Sequence, residues 1–210
     1  MKTELELLLE EIRGCRVCRD APRYGVALAH EPRPVMQVSA IAPICIAGQA
    51  PGARVHASGR PYSDASGVRL RSWLGVDDTV FYDSDKIAVV PMGFCFPGYD
   101  AAGSDLPPRR ECSEIWHERL FQHLPNLKLV LLVGGYAQRW HLGRDLTKNG
   151  VTETVRRWRE IYLRNAPPRM IPLPHPSWRN TGWLKRNPWF EAELIPVIRT
   201  EVAALLSETS

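Results

Sequence analysis

A chain of 210 residues, 44% hydrophobic and 24% charged, suffices for one well-buried globular domain and is short for two. With 27 Lys and Arg against 23 Asp and Glu, the net charge of +4 permits a nucleic-acid ligand without demanding one. No apolar run reaches the roughly eighteen residues of a membrane-spanning helix, and the polar start Met1-Lys2-Thr3-Glu4 lacks the apolar core of a secretion signal, so a cytoplasmic protein is expected.

In chain order, Glu4 to Arg13 reads as a helix, because Leu5, Leu8, Leu9 and Ile12 fall on one face. It delivers the chain to Cys15. A loop containing Pro22, Pro32, Pro34 and Pro43 leads to Ile44-Cys45-Ile46-Ala47, a short apolar run closed by Gly48 that reads as a buried strand of a parallel sheet. A helix is expected over Gly67 to Leu74, then strands at Ile87 to Val90 and Leu127 to Val133, with a helix from Cys112 to Leu124 between them. After Gly134-Gly135 come a short helix from Ala137 to His141, a strand at Met170 to Leu173, and a last helix from Pro188 through Leu206. That last helix carries Phe190, Leu194, Val197, Ile198 and Val202 on one side.

Strands alternating with helices predict a parallel sheet covered on both faces, with functional residues at the carboxyl ends of the strands. No repeat, low-complexity tract or linker divides residues 1–210, which are read as a single domain. Basic residues crowd the last third, at Arg156, Arg157, Arg159, Arg164, Arg169, Arg179, Lys185 and Arg186, interleaved with Trp158, Trp178, Trp183 and Trp189. Such a run is either a solvated face above core tryptophans or a nucleic-acid surface.

Cysteines carry the clearest chemical signal. Cys15-Arg16-Val17-Cys18 sets two thiols on one turn, and Cys95 and Cys112 supply two more. In a reducing compartment this pattern is a metal or redox device rather than a pair of disulfides. Four thiolates suit a tetrahedral zinc ion and a 4Fe–4S cluster equally well on coordination grounds. The competing reading makes Cys95 and Cys112 small buried hydrophobes, as Cys45 within its apolar strand is expected to be.

The segment Gly48-Gln49-Ala50-Pro51-Gly52, then Gly59-Arg60-Pro61-Tyr62, and later His175-Pro176-Ser177, resembles the uracil-DNA glycosylase superfamily, most nearly its iron–sulfur family 4 branch. In that resemblance these are motif A, the base-stacking aromatic and motif B, and the cysteine order and the Gly134-Gly135-Tyr136-Ala137 turn fit as well. It implies a three-layer αβα sandwich with a central four-stranded parallel sheet, and a structural 4Fe–4S cluster held by Cys15, Cys18, Cys95 and Cys112, zinc being the alternative. It also implies hydrolysis of an N-glycosidic bond in DNA, single or double stranded, with RNA left open.

Such a reaction extracts a nucleotide from the stack and then stabilises a cationic sugar and an anionic base. The resemblance assigns Gly48, Ala50, Pro51 and Gly52 to close approach of the backbone to the base, Tyr62 to stacking, His175 to the base oxygen, and Ser177 and Arg179 to the nucleic-acid backbone.

Two positions depart from the relatives. Family 4 members carry glutamate where this chain has Gln49, and family 1 members carry aspartate where it has Ala50. A glutamine orients water through its carbonyl oxygen but accepts no proton, so Asp64 or His56 is the expected substitute if hydrolysis occurs. The asparagine by which the family reads uracil is Pro91 here, which has no side-chain amide and predicts a different or modified base. A binding protein of the same fold that cleaves nothing, and a redox role for the cluster, are the other readings.

Overall fold

In the computed structural model, which describes residues 1–164 and 167–208, the four apolar runs form parallel strands. These are β1 (Ile44–Ala47), β2 (Ile87–Val89), β3 (Leu129–Val133) and β4 (Arg169–Leu173), side by side in the order β2-β1-β3-β4. Ile44 pairs with Ile87 on one side and Leu129 on the other, and Leu129 pairs with Arg169. The first three strands are buried at every residue, as continuous apolar runs must be when helices cover both faces.

Alternation along the strands divides the core in two. Ile44, Ile46, Ile87, Val89, Leu129, Leu131, Val133, Ile171 and Leu173 face one helical layer with Leu70, Trp73, Phe190, Ile198 and Val202. Cys45, Ala47, Ala88, Val90, Val130 and Leu132 face the opposite layer with Leu8, Ile12, Trp116 and Leu120. The result is the three-layer αβα sandwich. The chain runs from β1 outward to β2, then returns past β1 to add β3 on its other side. The strand order therefore reverses between β1 and β3, which opens a crevice at their carboxyl ends.

The first helix, Glu4–Arg13, has the expected bounds because Thr3 caps it: the Thr3 hydroxyl accepts the Glu6 N–H and the Glu6 carboxylate accepts the Thr3 N–H at 2.7 Å. The expected helix at Cys112 begins two residues earlier, at Arg110, and widens into a π turn over Ser113–His117 before ending at Gln122. A second π turn, Phe190–Leu194, precedes the last helix, Ile195–Ser207, and accommodates Pro196, whose ring nitrogen cannot donate to the preceding turn.

Helices at Ala53–Ser58, Gly150–Arg156 and Trp158–Arg164 complete the layers, and the segment expected as Ala137 to His141 is helical over Gly135–Thr147 with a kink at Gly143, whose φ is 79°. Among the described residues no helix is long and apolar enough to cross a membrane.

Candidate active site

A cleft of about 810 Å³ opens at the crevice between β1 and β3, within the size range of a small-molecule pocket. Gly48, Gln49, Ala50, Pro51, Gly52, Tyr62, Pro91, His175, Ser177 and Arg179 all line it. They come from four separate loops, and the sheet brings them together.

The turn after β1 is tied to the segment after β2: Met92 N–H donates to Gly48 O (3.0 Å) and Gly93 N–H to Gln49 O (2.9 Å). The Gln49 side chain lies against Gly134, where a Cβ would meet its Cγ and Cδ at 3.4 Å. Gly134 itself has φ 84°, a conformation that glycine adopts without strain, and its N–H donates to Leu173 O (2.9 Å).

Tyr62 enters at φ 50°, which is unusual for a residue with a side chain. Its carbonyl accepts hydrogen bonds from Arg71 Nη1 and from Tyr82 Oη, each at 3.2 Å, and its ring packs edge-on against Phe81 at 6.2 Å. Its hydroxyl points at Gly48, where a Cβ would stand 2.6 Å away. Burial pushes the Tyr62 phenol above its usual range.

His175 follows β4 and is half-buried. Its Nδ1 lies 3.2 Å from the Ser177 N–H and accepts from it, so the neutral ring carries its proton on Nε2. Burial lowers the His175 pKa, and the Asp64 carboxylate opposes that shift. The loop is held from two sides: Asn180 Nδ2 donates to His175 O (2.7 Å), and Arg69, from helix Ala65–Leu74, donates to Ser177 O (2.9 Å) and Thr181 Oγ1 (3.2 Å). Neither Asn180 nor Arg69 stands out in the sequence, because each works through a backbone that only the fold brings near.

Pro91 forms buried wall, and its carbonyl is engaged by His117 Nε2 at 3.1 Å. Asp64 lines the cleft and caps helix Ala65–Leu74, its Oδ1 accepting the Gly67 N–H at 3.3 Å. His56 does not line the cleft. Its ring sits 4.9 Å from that of His30 and 6.1 Å from that of Phe96, and burial lowers its pKa. Asp105, Tyr99, Tyr136 and Trp178 also line the cleft, and the last three are exposed aromatics on its rim.

The basic stretch divides. Arg157 pairs with Glu160 (2.8 Å) and Arg159 with Glu193 (2.8 Å), whereas Arg179 reaches the cleft beside Trp178. Trp158 is buried, Trp183 and Trp189 pack against the core beside Phe190, and Trp178 is 73% exposed, so one tryptophan of the four opens onto the cleft.

Cys15, Cys18, Cys95 and Cys112 line one pocket, and the remaining lining residues, Ile12, Pro32, Pro34, Phe94 and Trp116, are all apolar. None is in a disulfide. Phe94 N–H donates to Cys112 Sγ (3.5 Å), and Arg109 braces the cysteine loop by donating to the carbonyls of Cys18 (3.0 Å) and Tyr24 (3.1 Å). Contact with Cys112 draws the Cys18 thiol down to about 7, and burial pushes Cys95 up to about 12. Among the described residues no group of three or more His, Cys, Asp or Glu side chains converges to hold a metal ion. A donor set of four free thiols around one apolar pocket, with an N–H directed at sulfur, fits a thiolate-bound cluster.

A doubly covered parallel sheet whose crevice carries a glycine turn on one side and a strand-end histidine on the other defines a doubly wound α/β protein with its cleft where the strand order reverses. Residues 36–199 match the family described as the uracil DNA glycosylase superfamily, and the chain belongs to that superfamily. The match includes every cleft residue from Gly48 to Asn180 and also Cys95 and Cys112, and begins after Cys15, Cys18 and Val35.

Proposed function

We propose that the protein is an iron–sulfur DNA glycosylase-like enzyme, nearest to the family 4 branch and divergent in motif A, that takes a flipped damaged or deaminated base into the cleft and hydrolyses its N-glycosidic bond. The observation that carries this reading is the meeting of the Gly48–Gly52 turn, Tyr62 and His175 in one cleft, with His175 Nε2–H free to donate.

As the bond breaks, negative charge collects on the base, and a neutral imidazole donating from Nε2 stabilises it. The lowered pKa suits that role, since His175 has no need to lose a proton to act. Gln49, lodged against Gly134, orients a water through its amide. The buried Pro91 wall supplies no amide pair for uracil, which favours another or a modified base. Arg179 and Ser177 hold the sugar–phosphate chain, and Trp178 meets the neighbouring base.

Cys15, Cys18, Cys95 and Cys112 would hold a 4Fe–4S cluster that braces the loops beside the cleft. Four thiols on one apolar pocket suit such a cluster, with a zinc ion as the alternative occupant.

The test is base release by anaerobically purified protein from oligonucleotides containing uracil, hypoxanthine, xanthine or ethenocytosine, with iron and sulfide measured on the same sample. An abasic product is expected, with His175→Ala slower by about 10²-fold or more. No product at high enzyme excess sinks the catalytic reading. Salt-dependent binding without product would instead establish a base-binding protein, the reading favoured by the absence of an acid at Gln49 and Ala50.

A further inference from the structure

The loop between Cys95 and Cys112 folds back on itself as a small hairpin. Leu106 N–H donates to Gly98 O (2.9 Å), Tyr99 bridges Asp105, and the tip is closed by Asp100, whose Oδ1 accepts the N–H groups of Ala102 (2.9 Å) and Ser104 (2.8 Å). This construction holds Asp105 over the turn after β1. Its Oδ2 lies 3.6 Å from the point a Cβ on Gly52 would occupy, and its side chain lines the cleft.

Two carboxylates therefore reach the cleft, and they differ in their commitments. Asp64 has one oxygen engaged as a helix cap. Among the described residues no hydrogen-bond or ion-pair partner of the Asp105 carboxylate is found, and the charges that act on it are those of Arg179 and Asp64. Arg179, on the loop after β4, faces Asp105 closely enough to favour its ionised form, while partial burial and the charge of Asp64 oppose ionisation and raise its pKa. A carboxylate held over the turn where the relatives carry their acid, and lining the cleft, is placed to take a proton from water.

We infer that Asp105 is the catalytic carboxylate of this site, doing from the hairpin what the residue at position 49 does in the relatives. The inference rests on the glycosylase reading. The C1′–N bond breaks with its electron pair leaving on the base, where His175 stabilises it. Water forms the new C1′–O bond, and its proton passes to the Asp105 carboxylate and then to solvent. The departed base takes up one proton, so the sum is hydrolysis. While the sugar is cationic, the Asp105 charge stabilises it.

The test uses the full-length, cluster-loaded protein with Asp105→Asn and Asp64→Asn. Binding is measured to oligonucleotides bearing a pyrrolidine abasic-site analogue, which is cationic at the sugar ring, and a neutral tetrahydrofuran analogue. Wild type is expected to prefer the cation by about tenfold, a preference worth roughly 1.4 kcal/mol. Asp105→Asn loses that preference and slows base release by about 10²-fold. Asp64→Asn keeps the preference.

Equal melting temperatures and circular dichroism for wild type and Asp105→Asn establish that the variant is folded. An Asp105→Asn protein that matches wild type in either preference or release rate overturns the inference and leaves the glycosylase reading standing, as does loss of the preference in Asp64→Asn alone. Wild-type protein that binds neither analogue and releases no base removes both.

Discussion

Replacing Gly48 by alanine tests whether the cleft is built as described. The added methyl would stand 2.6 Å from Tyr62 Oη and 3.5 Å from Cζ, so only the hydroxyl is in its way. The tyrosine has little freedom to withdraw, because its carbonyl is held by Arg71 and Tyr82 and its ring is seated on Phe81. Overpacking of this kind costs about 1–3 kcal/mol. At roughly 2–4 °C per kcal/mol for a chain of this size, the melting temperature of Gly48→Ala should fall by about 2–12 °C.

Tyr62→Phe removes the hydroxyl and keeps the ring, leaving an ordinary contact of 3.5 Å. The same alanine in a Tyr62→Phe background should therefore be nearly neutral, with a coupling of about 1 kcal/mol or more in a double-mutant cycle read by urea and thermal unfolding. Equal destabilisation by Gly48→Ala in both backgrounds would refute the assignment of the clash to the hydroxyl.

Serine at Cys15, Cys18, Cys95 or Cys112 should each abolish stoichiometric iron, whereas Cys45→Ser should retain it. Burial pushes the Cys45 thiol up to about 12, so iodoacetamide at neutral pH should leave it unlabelled until the protein unfolds, as read by mass spectrometry. His117 is fully buried, and burial lowers its pKa to about 4. Because the unfolded chain takes up this proton near pH 6.5 and the folded one only near 4, the His117 contribution is intact above pH 6.5. It is lost at about 1.4 kcal/mol per pH unit as the pH falls between those values. His117→Gln should flatten that slope of unfolding free energy against pH by about one proton. Trp178→Ala should weaken binding of single-stranded oligonucleotides by about 1–3 kcal/mol in fluorescence titrations, and Arg179→Ala should reduce the logarithmic salt dependence by about one.

Most of the sheet is legible in the sequence because strands buried on both faces must be continuous apolar runs, and Ile44–Ala47 and Leu129–Val133 are. The helices at Gly150–Arg156 and Trp158–Arg164 are not, since their arginines mask the apolar face of Val151, Val155, Trp158 and Tyr162. The two readings of that basic run, solvated face and ligand surface, apply to different residues. The ion pair of Arg159 with Glu193 spans helices distant in the chain, and only packing separates Arg159 from Arg179.

The glycine turn, Tyr62 and His175 are each marked in the sequence by what precedes them, a strand end or a Gly-Arg-Pro run, because local backbone demands leave local signatures. The substitute for the absent acid leaves none. Asp105 lies in an undistinguished loop between two cysteines and reaches Gly52 because the hairpin folds it there. The sequence by itself determined the layers, which are written in the periodicity of the strands and helices, while the spacing of the cysteines and the resemblance carried by the Gly48–Gly52 turn pointed to residues that do line two pockets. Only the tertiary structure decided which carboxylate, which tryptophan and which arginines face the cleft, because charged and aromatic side chains on loops carry no period and take their meaning from what the fold sets opposite them.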